Sequence, residues 1–415
     1  MTNVRMAVIS DLHADEGVES RHTRILSDAT DYAMGVDPLV DLLAFVESAE
    51  LRVDYVLAPG DVANQGNAVG LPYAWRRLND VATKLGADVI GTPGNHDVTT
   101  HQPTADIARA LKALTPSFPV RDQRSSDFFW DRGYLLLDRE DHRILVIDST
   151  KGFPHHPDKF DSDAARVDYY SAIDRGYFLE SVEKQIRDDL ALCNGNKVNI
   201  ALVHHHPVEH QLRTYLQDSY GPMHRGGELV KLLTETPTLG RWVVVHGHKH
   251  IPLLSRSTAV SAEGPLILCA GSLGAKMWEP VANVTKNQFH ILDASNLYVP
   301  GAGTIRGVVE SYTWSYGIGW TVSDRLGSGL PAVGGFGCTK DPDELMREIA
   351  SLFSEGRGRT NFLYADIVRQ LPELQFQLPL DQEALEKKLE DNYDIIFTRD
   401  RQNRIYNISK RVGAR

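Results

Sequence analysis

Over roughly the first 295 residues, short runs of β-branched and other apolar residues alternate with amphipathic stretches. The runs Met6–Ser10, Tyr55–Pro59, Asp88–Thr92, Arg143–Asp148, Val198–His204, Arg241–His246, Pro265–Ala270 and Gln288–Leu292 read as strands. Most are near-continuously apolar, as in a sheet covered on both faces. Between several of them lie helix-like segments. Asp37–Ala49 sets Leu39, Leu42, Leu43 and Val46 on one stripe; Ala74–Leu85 follows the same spacing, and Phe178–Leu192 precedes the fifth strand. This rhythm predicts an α/β fold.

The rhythm breaks after Asp293. Ten of the thirty-seven residues from Gly301 to Gly337 are glycine, and Tyr312, Trp314, Tyr316, Ile318, Trp320 and Val322 alternate with smaller or polar residues. Period-2 alternation predicts a strand. An exposed aromatic row would invite aggregation, so residues 296–340 are expected to complete the core sheet. Residues 341–415 are expected to form a small α+β module: helices over Pro342–Ser354, Asn361–Leu371 and Asp381–Asn392, then a hairpin over Tyr393–Ile408 turning near Asp400–Asn403. A helix followed by a hairpin has the outline of a winged-helix module, but the pairing is common.

Composition narrows the function classes. A net charge of −11 disfavours a protein that grips nucleic acid with its whole surface, and leaves room only for a local basic groove. The tail from Arg399 to Arg415 is such a place, with six basic residues against Asp400 alone. No apolar run reaches the ~18–20 residues that span a bilayer. The first ten residues lack a signal-peptide pattern, and Cys193, Cys269 and Cys338 form no C-x-x-C pair. These features predict a cytoplasmic protein with neither a disulfide framework nor a thiolate metal site.

The chemistry sits where the strands end. Asp11-Leu12-His13 follows the first strand, Gly60-Asp61 the second and Gly94-Asn95-His96-Asp97 the third. The fifth ends in His204-His205-His206-Pro207 and the sixth in His246-Gly247-His248-Lys249-His250. One Asp-x-His or Gly-Asp by itself is ordinarily a turn. Five such groups, each at the carboxyl end of a strand, converge on the crevice where open α/β sheets bind ligands. Carboxylates and an amide mixed with imidazoles suit divalent Mn, Fe or Zn.

Taken together, Asp11-x-His13, Gly60-Asp61, Gly94-Asn95-His96-Asp97, His205-x-Pro207 and Gly247-His248-x-His250 resemble the five ordered motifs of the calcineurin-like metallophosphoesterases. The resemblance covers residues 6–295 and implies a four-layer αββα sandwich with two divalent metal ions at the strand ends. It implies that Asp11, His13 and His250 hold one ion, that Asn95, His205 and His248 hold the other, and that Asp61 bridges them. His205 is chosen because the family's ligand stands two residues before the proline; His204 and His206 are left to packing or to the rim, where His206 could touch substrate, and His246 to structure. His96 is expected to face the substrate as a catalytic residue, with Asp97 orienting its ring. Two such ions, ~3.5–4 Å apart, acidify a bridging water for in-line attack on phosphorus.

The implied activity is a hydrolase acting on phosphoric ester bonds. The family's protein phosphatases continue their Gly-Asp with a Val-Asp-Arg-Gly clamp, whereas this chain reads Gly60-Asp61-Val62-Ala63-Asn64-Gln65-Gly66. The missing arginine turns the expectation away from phosphoproteins and toward the bacterial phosphodiesterase branch. A nuclease or nucleic-acid phosphatase aided by the carboxyl-terminal region is the alternative. A non-catalytic scaffold is disfavoured because no ligand position is lost. The expected partners are a phosphate-ester substrate such as a nucleotide or phosphodiester, and no membrane. Nothing in the chain sets an oligomeric state. His155-His156, in a Pro- and Asp-rich stretch, is expected to form a rim loop.

Overall fold

The computed structural model describes residues 3–28, 33–209, 221–257, 264–277, 279–297, 304–323, 329–355 and 360–411. Two mixed sheets form its centre. The first is seven-stranded, in the order β12 (Gly319–Val322), β11 (Thr304–Ser315), β10 (Asn287–Leu297), β1 (Asn3–Val8), β2 (Tyr55–Ala58), β3 (Asp88–Gly91), with β13 (Val333–Phe336) also pairing to β11. The second runs β4 (Tyr134–Asp138), β5 (His142–Ile147), β6 (Val198–Leu202), β7 (Trp242–His246), β9 (Leu266–Cys269), β8 (Leu253–Arg256). β1, β2 and β3 are mutually parallel, as are β5, β6, β7 and β9. Their carboxyl ends therefore gather along one rim.

Side-chain alternation separates the layers. Met6 and Val8 of β1 join Ile144, Val146, Ile200, Leu202, Val243 and Val245 in an apolar layer between the sheets. Ala7 and Ile9 turn the other way, onto Leu39, Leu42 and Val46 of α1 (Pro38–Ser48) and Leu78 and Val81 of α2 (Gly70–Leu85). Ala201 and Val244 face the opposite flank, which a second set of helices covers. The four layers α–β–β–α are complete, and burial on both faces explains the continuous apolar runs.

Helix α3 (Gln123–Arg132) leads into β4. Two further helices, α4 (Asp163–Arg175) and α5 (Glu180–Ala191), join β5 to β6, and α6 (Gly226–Thr234) precedes β7. Val182, Ile186 and Leu190 of α5, with Leu229, Leu232 and Leu233 of α6, cover the second sheet. β4, β8 and α4 carry no clean period in the sequence. α4 occupies part of the region expected to be loop, and only the stretch around His155-His156 lacks regular structure.

The aromatic run is a hairpin rather than one strand. β11 ends at Ser315, Tyr316 and Ile318 stand exposed in the turn, and β12 brings back Trp320 opposite Trp314. Tyr312, Trp314 and Trp320 are buried against α1: Trp314 Nε1–H donates to Asp41 Oδ2 at 2.7 Å, and Trp320 Nε1–H to the Pro38 carbonyl at 2.8 Å. β10 runs through Asp293 to Leu297, so the rhythm break expected there falls inside a strand.

The carboxyl-terminal residues build their own small core. α7 (Pro342–Glu355), α8 (Tyr364–Gln370) and α9 (Pro379–Tyr393) pack Leu345, Ile349, Ile367, Leu385 and Leu389 against a three-stranded sheet. Its order is β14 (Asn361–Leu363), β16 (Ile405–Lys410), β15 (Ile395–Arg399). The expected helix at 361–371 thus begins as strand β14. Of the basic tail, residues 412–415 lie outside the described residues. No described helix is long and apolar enough to cross a membrane.

Candidate metal centre

The rim is built from turns that few side chains tolerate. Asp11 (φ 52°), His13 (φ 50°), Asp61 (φ 52°), His248 (φ 73°) and His250 (φ 59°) all lie in the left-handed region. They are half of the ten non-glycine residues that do so among the described residues. Such conformations cost energy and persist where the surroundings enforce them, commonly at functional sites. Two glycines permit the close approach: a Cβ on Gly94 would collide with the Asp61 carboxylate, and one on Gly247 with that of Asp11.

Two groups of donors result. In the first, the Nε2 atoms of His13 and His250 face each other at 3.0 Å, and Asp11 Oδ1 lies 3.2 Å from His250 Nε2. In the second, Asn95 Oδ1 stands 3.0 Å from His204 Nε2 and 3.2 Å from His248 Nδ1. Asp61 lies between them, its Oδ2 3.6 Å from His13 Nε2 and 3.4 Å from His204 Nε2. Asp11, Asp61 and His204 are fully buried or nearly so. Backbone amides of neighbouring loops hold the two carboxylates: His248 N–H donates to Asp11 Oδ1 at 3.0 Å, and His96 N–H to Asp61 Oδ1 at 2.8 Å.

The electrostatics match the donor set. Burial drives His13 down to about 3 and holds His248 well below the usual imidazole range, so both rings are neutral, as metal ligands must be. Burial opposes ionisation of Asp61, yet His204, His96 and His13 together keep its carboxyl well below the usual range. Burial likewise opposes charging of His204, but Asp61 outweighs it and lifts the ring to about 9. Its Nδ1 is fixed by the Pro59 carbonyl at 2.7 Å, which aims Nε2 at Asp61 and Asn95. Neutral rings at His13 and His248, ionised carboxylates and an amide oxygen converge on two points that fit a pair of divalent ions; His204, cationic beside Asp61, would have to give up its proton to join them.

A family model described as calcineurin-like phosphoesterase matches residues 4–252, more than half of the chain. The chain belongs to the calcineurin-like phosphoesterase family. A second model, wHTH-Calcineurin_assc, matches residues 334–391 of this family member. A search of curated proteins gives no match. Similar solved structures include the purple acid phosphatase PPD1 of yellow lupin, at 14% identity and a TM-score of 0.45 over 78% of this chain and 53% of that one. A 5′-nucleotidase precursor from Thermus thermophilus is 15% identical, with a TM-score of 0.35 over 79% and 56% of the two chains. The NAD nucleotidase of Haemophilus influenzae is 10% identical, with a TM-score of 0.34 over 78% and 54%. This phosphoesterase chain thus spans about half the length of each.

Within this calcineurin-like phosphoesterase, two expected roles meet a different geometry. The histidine facing Asp61 and Asn95 is His204, not His205. Both ring nitrogens of His205 are engaged, Nδ1 with Ser149 Oγ at 2.7 Å and Nε2 with the Ile173 carbonyl at 3.1 Å, although the ring does lie beside His204 and His248. The sequence carried the signal: Val198, Ile200 and Leu202 face the first sheet, and His204 continues their parity. Asp97 does not touch the His96 ring; its oxygens accept from Ala63 N–H at 2.8 Å and Gly94 N–H at 2.9 Å, clamping two rim loops together. Of the two places left open for His206, the structure shows packing: it is buried in a stack with His248.

His96 packs edge-on against the His13 ring, with centroids 4.8 Å apart. It opens on a cavity of about 160 Å³ lined also by Gln65, Thr100, His101, Tyr170 and Asp174. Tyr170 and Asp174 come from α4, which has no motif, so no signal in the sequence marked them.

Proposed function

We propose that the chain is a metal-dependent phosphodiesterase that hydrolyses a P–O ester bond by in-line attack of water. Asp11, His13 and His250 would hold one ion, Asn95, His204 and His248 the other, and Asp61 would touch both. Divalent ions of the Mn, Fe or Zn type supply charge for the phosphoryl oxygens and acidify the attacking water. The chain's own residues do the rest. Asp11 and Asp61 neutralise the ions' charge, and the backbone bonds to their carboxylates fix the spacing before substrate arrives. His96 gives a proton to the departing ester oxygen, a contribution of about 10²–10⁴ in rate. The water oxygen joins phosphorus, and the products are a phosphomonoester and an alcohol.

The cavity lining carries the preference for a diester. A further cation beside the two ions would favour the extra charge of a monoester dianion, yet the described lining holds no arginine or lysine and presents the Asp174 carboxylate. Burial raises that carboxyl above its ordinary range, against the pull of Lys249. A diester carries a single negative charge and a second alcohol group to rest on Tyr170 and Thr100. The test compares bis-aryl with mono-aryl phosphates in Mn²⁺, together with 3′,5′-cyclic nucleotides and glycerophosphodiesters. A higher kcat/KM for diesters is expected; a strong monoester preference overturns the reading.

The match of residues 334–391 to a model named for a winged helix-turn-helix favours a second reading, a nuclease. Against it, the amino-terminal end of α9 is packed on the first sheet: Leu378 is buried there and Pro379 lies over Gly334. In helix-turn-helix proteins that end reads the bases. Single-stranded oligonucleotides cut in Mn²⁺, with a steep loss on adding salt, would favour the nuclease. The three free cysteines accord with our placing the enzyme in the cytoplasm.

A further inference from the structure

Asp174 stands at the last turn of α4, outside every motif. Its Oδ2 lies 3.8 Å from His248 Nε2, and that nitrogen is buried with no hydrogen-bond partner. The other nitrogen of the same ring, Nδ1, faces Asn95 Oδ1 at 3.2 Å. An imidazole that binds a metal through one nitrogen ordinarily gives the proton on the other to a carboxylate, carbonyl or water. Among the described residues, Asp174 is the carboxylate paired with His248 Nε2. The separation is too long for a direct hydrogen bond and short enough for one water to bridge, or for closure once the site is loaded.

The surroundings hold the carboxylate there. The His205 ring, which lies beside His204 and His248, engages the carbonyl of Ile173, the residue before Asp174. Ser149 Oγ fixes the opposite nitrogen of that ring, and Gly176 closes on it so tightly that a Cβ would collide. One turn earlier, Tyr169 O–H donates to the Thr100 carbonyl at 3.1 Å, tying α4 to the loop after His96. His205 thereby acts on the rim at one remove, through the helix that carries Asp174.

We infer that Asp174 is a positioning residue that holds the proton on His248 Nε2, so that Nδ1 presents its lone pair beside Asn95. The inference rests on the metal-centre reading above. Its test is calorimetric titration of the full chain with Mn²⁺ alone, for wild type, Asp174→Ala, Asp174→Asn and Asp174→Glu. In Asp174→Ala one of two Mn²⁺ affinities should fall about 10–100-fold while the other holds. Asp174→Glu should recover part of the loss, and apo melting temperatures should be unchanged, because the side chain is 31% exposed. In long-range ¹H–¹⁵N spectra of the Zn²⁺-loaded protein, the His248 Nε2–H should be visible in wild type and lost to solvent exchange in Asp174→Ala. Unchanged affinities in Asp174→Ala, or a Zn²⁺-loaded His248 with its proton on Nδ1, overturn the inference. A wild-type chain that takes up no metal instead fails the underlying reading, which keeps the two failures distinct.

Discussion

The first sheet has two characters. Along the carboxyl ends of β1, β2 and β3, the turns carry Asp11, His13, Asp61 and Asn95, several in left-handed backbone, with buried carboxylates facing imidazoles. At the far edge, β10, β11 and β12 bury Phe289, Tyr312, Trp314 and Trp320, and the indole N–H groups of both tryptophans are bonded. Phe289 stacks on Tyr312 at 4.8 Å and meets Trp320 edge-on at 4.9 Å. One region concentrates desolvated charge and backbone strain; the other concentrates apolar area and satisfied donors. The rim is costly to build and the aromatic edge offsets that cost, a division expected where a site departs from the local rules that stabilise folds.

The contrast is open to attack by mutation. Asp61→Ala should lower kcat/KM about 10³-fold or more, about 4 kcal/mol of transition-state stabilisation. Its apo melting temperature should fall only modestly, because the attraction of His204, His96 and His13 and the bond from His96 N–H are lost while repulsion with Asp11 and Asp97 is relieved. A drop in melting temperature as large as that of a core truncation would erase the contrast. Trp320→Ala should do the reverse, costing about 3–5 kcal/mol in urea unfolding. The protein that stays folded should keep the wild-type Mn²⁺ stoichiometry.

Between neighbours on the rim the contrast sharpens. His204→Ala should cost more Mn²⁺ affinity than His205→Ala, by about 10-fold or more in titration. Equal losses would mean that both rings serve as ligands. The smallest effect expected is on pH dependence. Burial depresses His290, in the middle of the first sheet, to about 3, against an unfolded value of about 6.5. Below pH 6.5 the unfolded chain takes up a proton that the native state refuses, so stability falls as pH drops toward 3. The contribution is about 1.4 kcal/mol per pH unit. Chemical denaturation at pH 6.5 and 5.5 should show a smaller difference in His290→Gln than in wild type.

Legibility followed the physics of each region. The parallel strands were readable because both faces are buried, and the motif residues because each ends a strand. Asp11, His13, Asp61, Asn95, His248 and His250 do stand together on the rim. The choice between His204 and His205 depends on which face of β6 meets the other sheet, and spacing from Pro207 points to the other ring. Asp97 looked like a partner for His96 because the two are adjacent. Its position between two backbone amides is a long-range fact, set by how the loops after β2 and β3 close. Tyr170 and Asp174 reach the cavity on α4, which is mostly polar and buries only Tyr169 and Ile173, so no period announced it. The turn at Tyr316–Ile318 was hidden because alternation continued through it.

The central claim is that two groups of donors, joined by Asp61, hold two ions. Anomalous X-ray scattering from crystals grown in Mn²⁺ tests it most directly. The account predicts two peaks per chain, one among Asp11, His13 and His250 and the other among Asn95, His204 and His248, with Asp61 in contact with both. A single peak, or a second ion bound by His205 with His204 turned away, would contradict it.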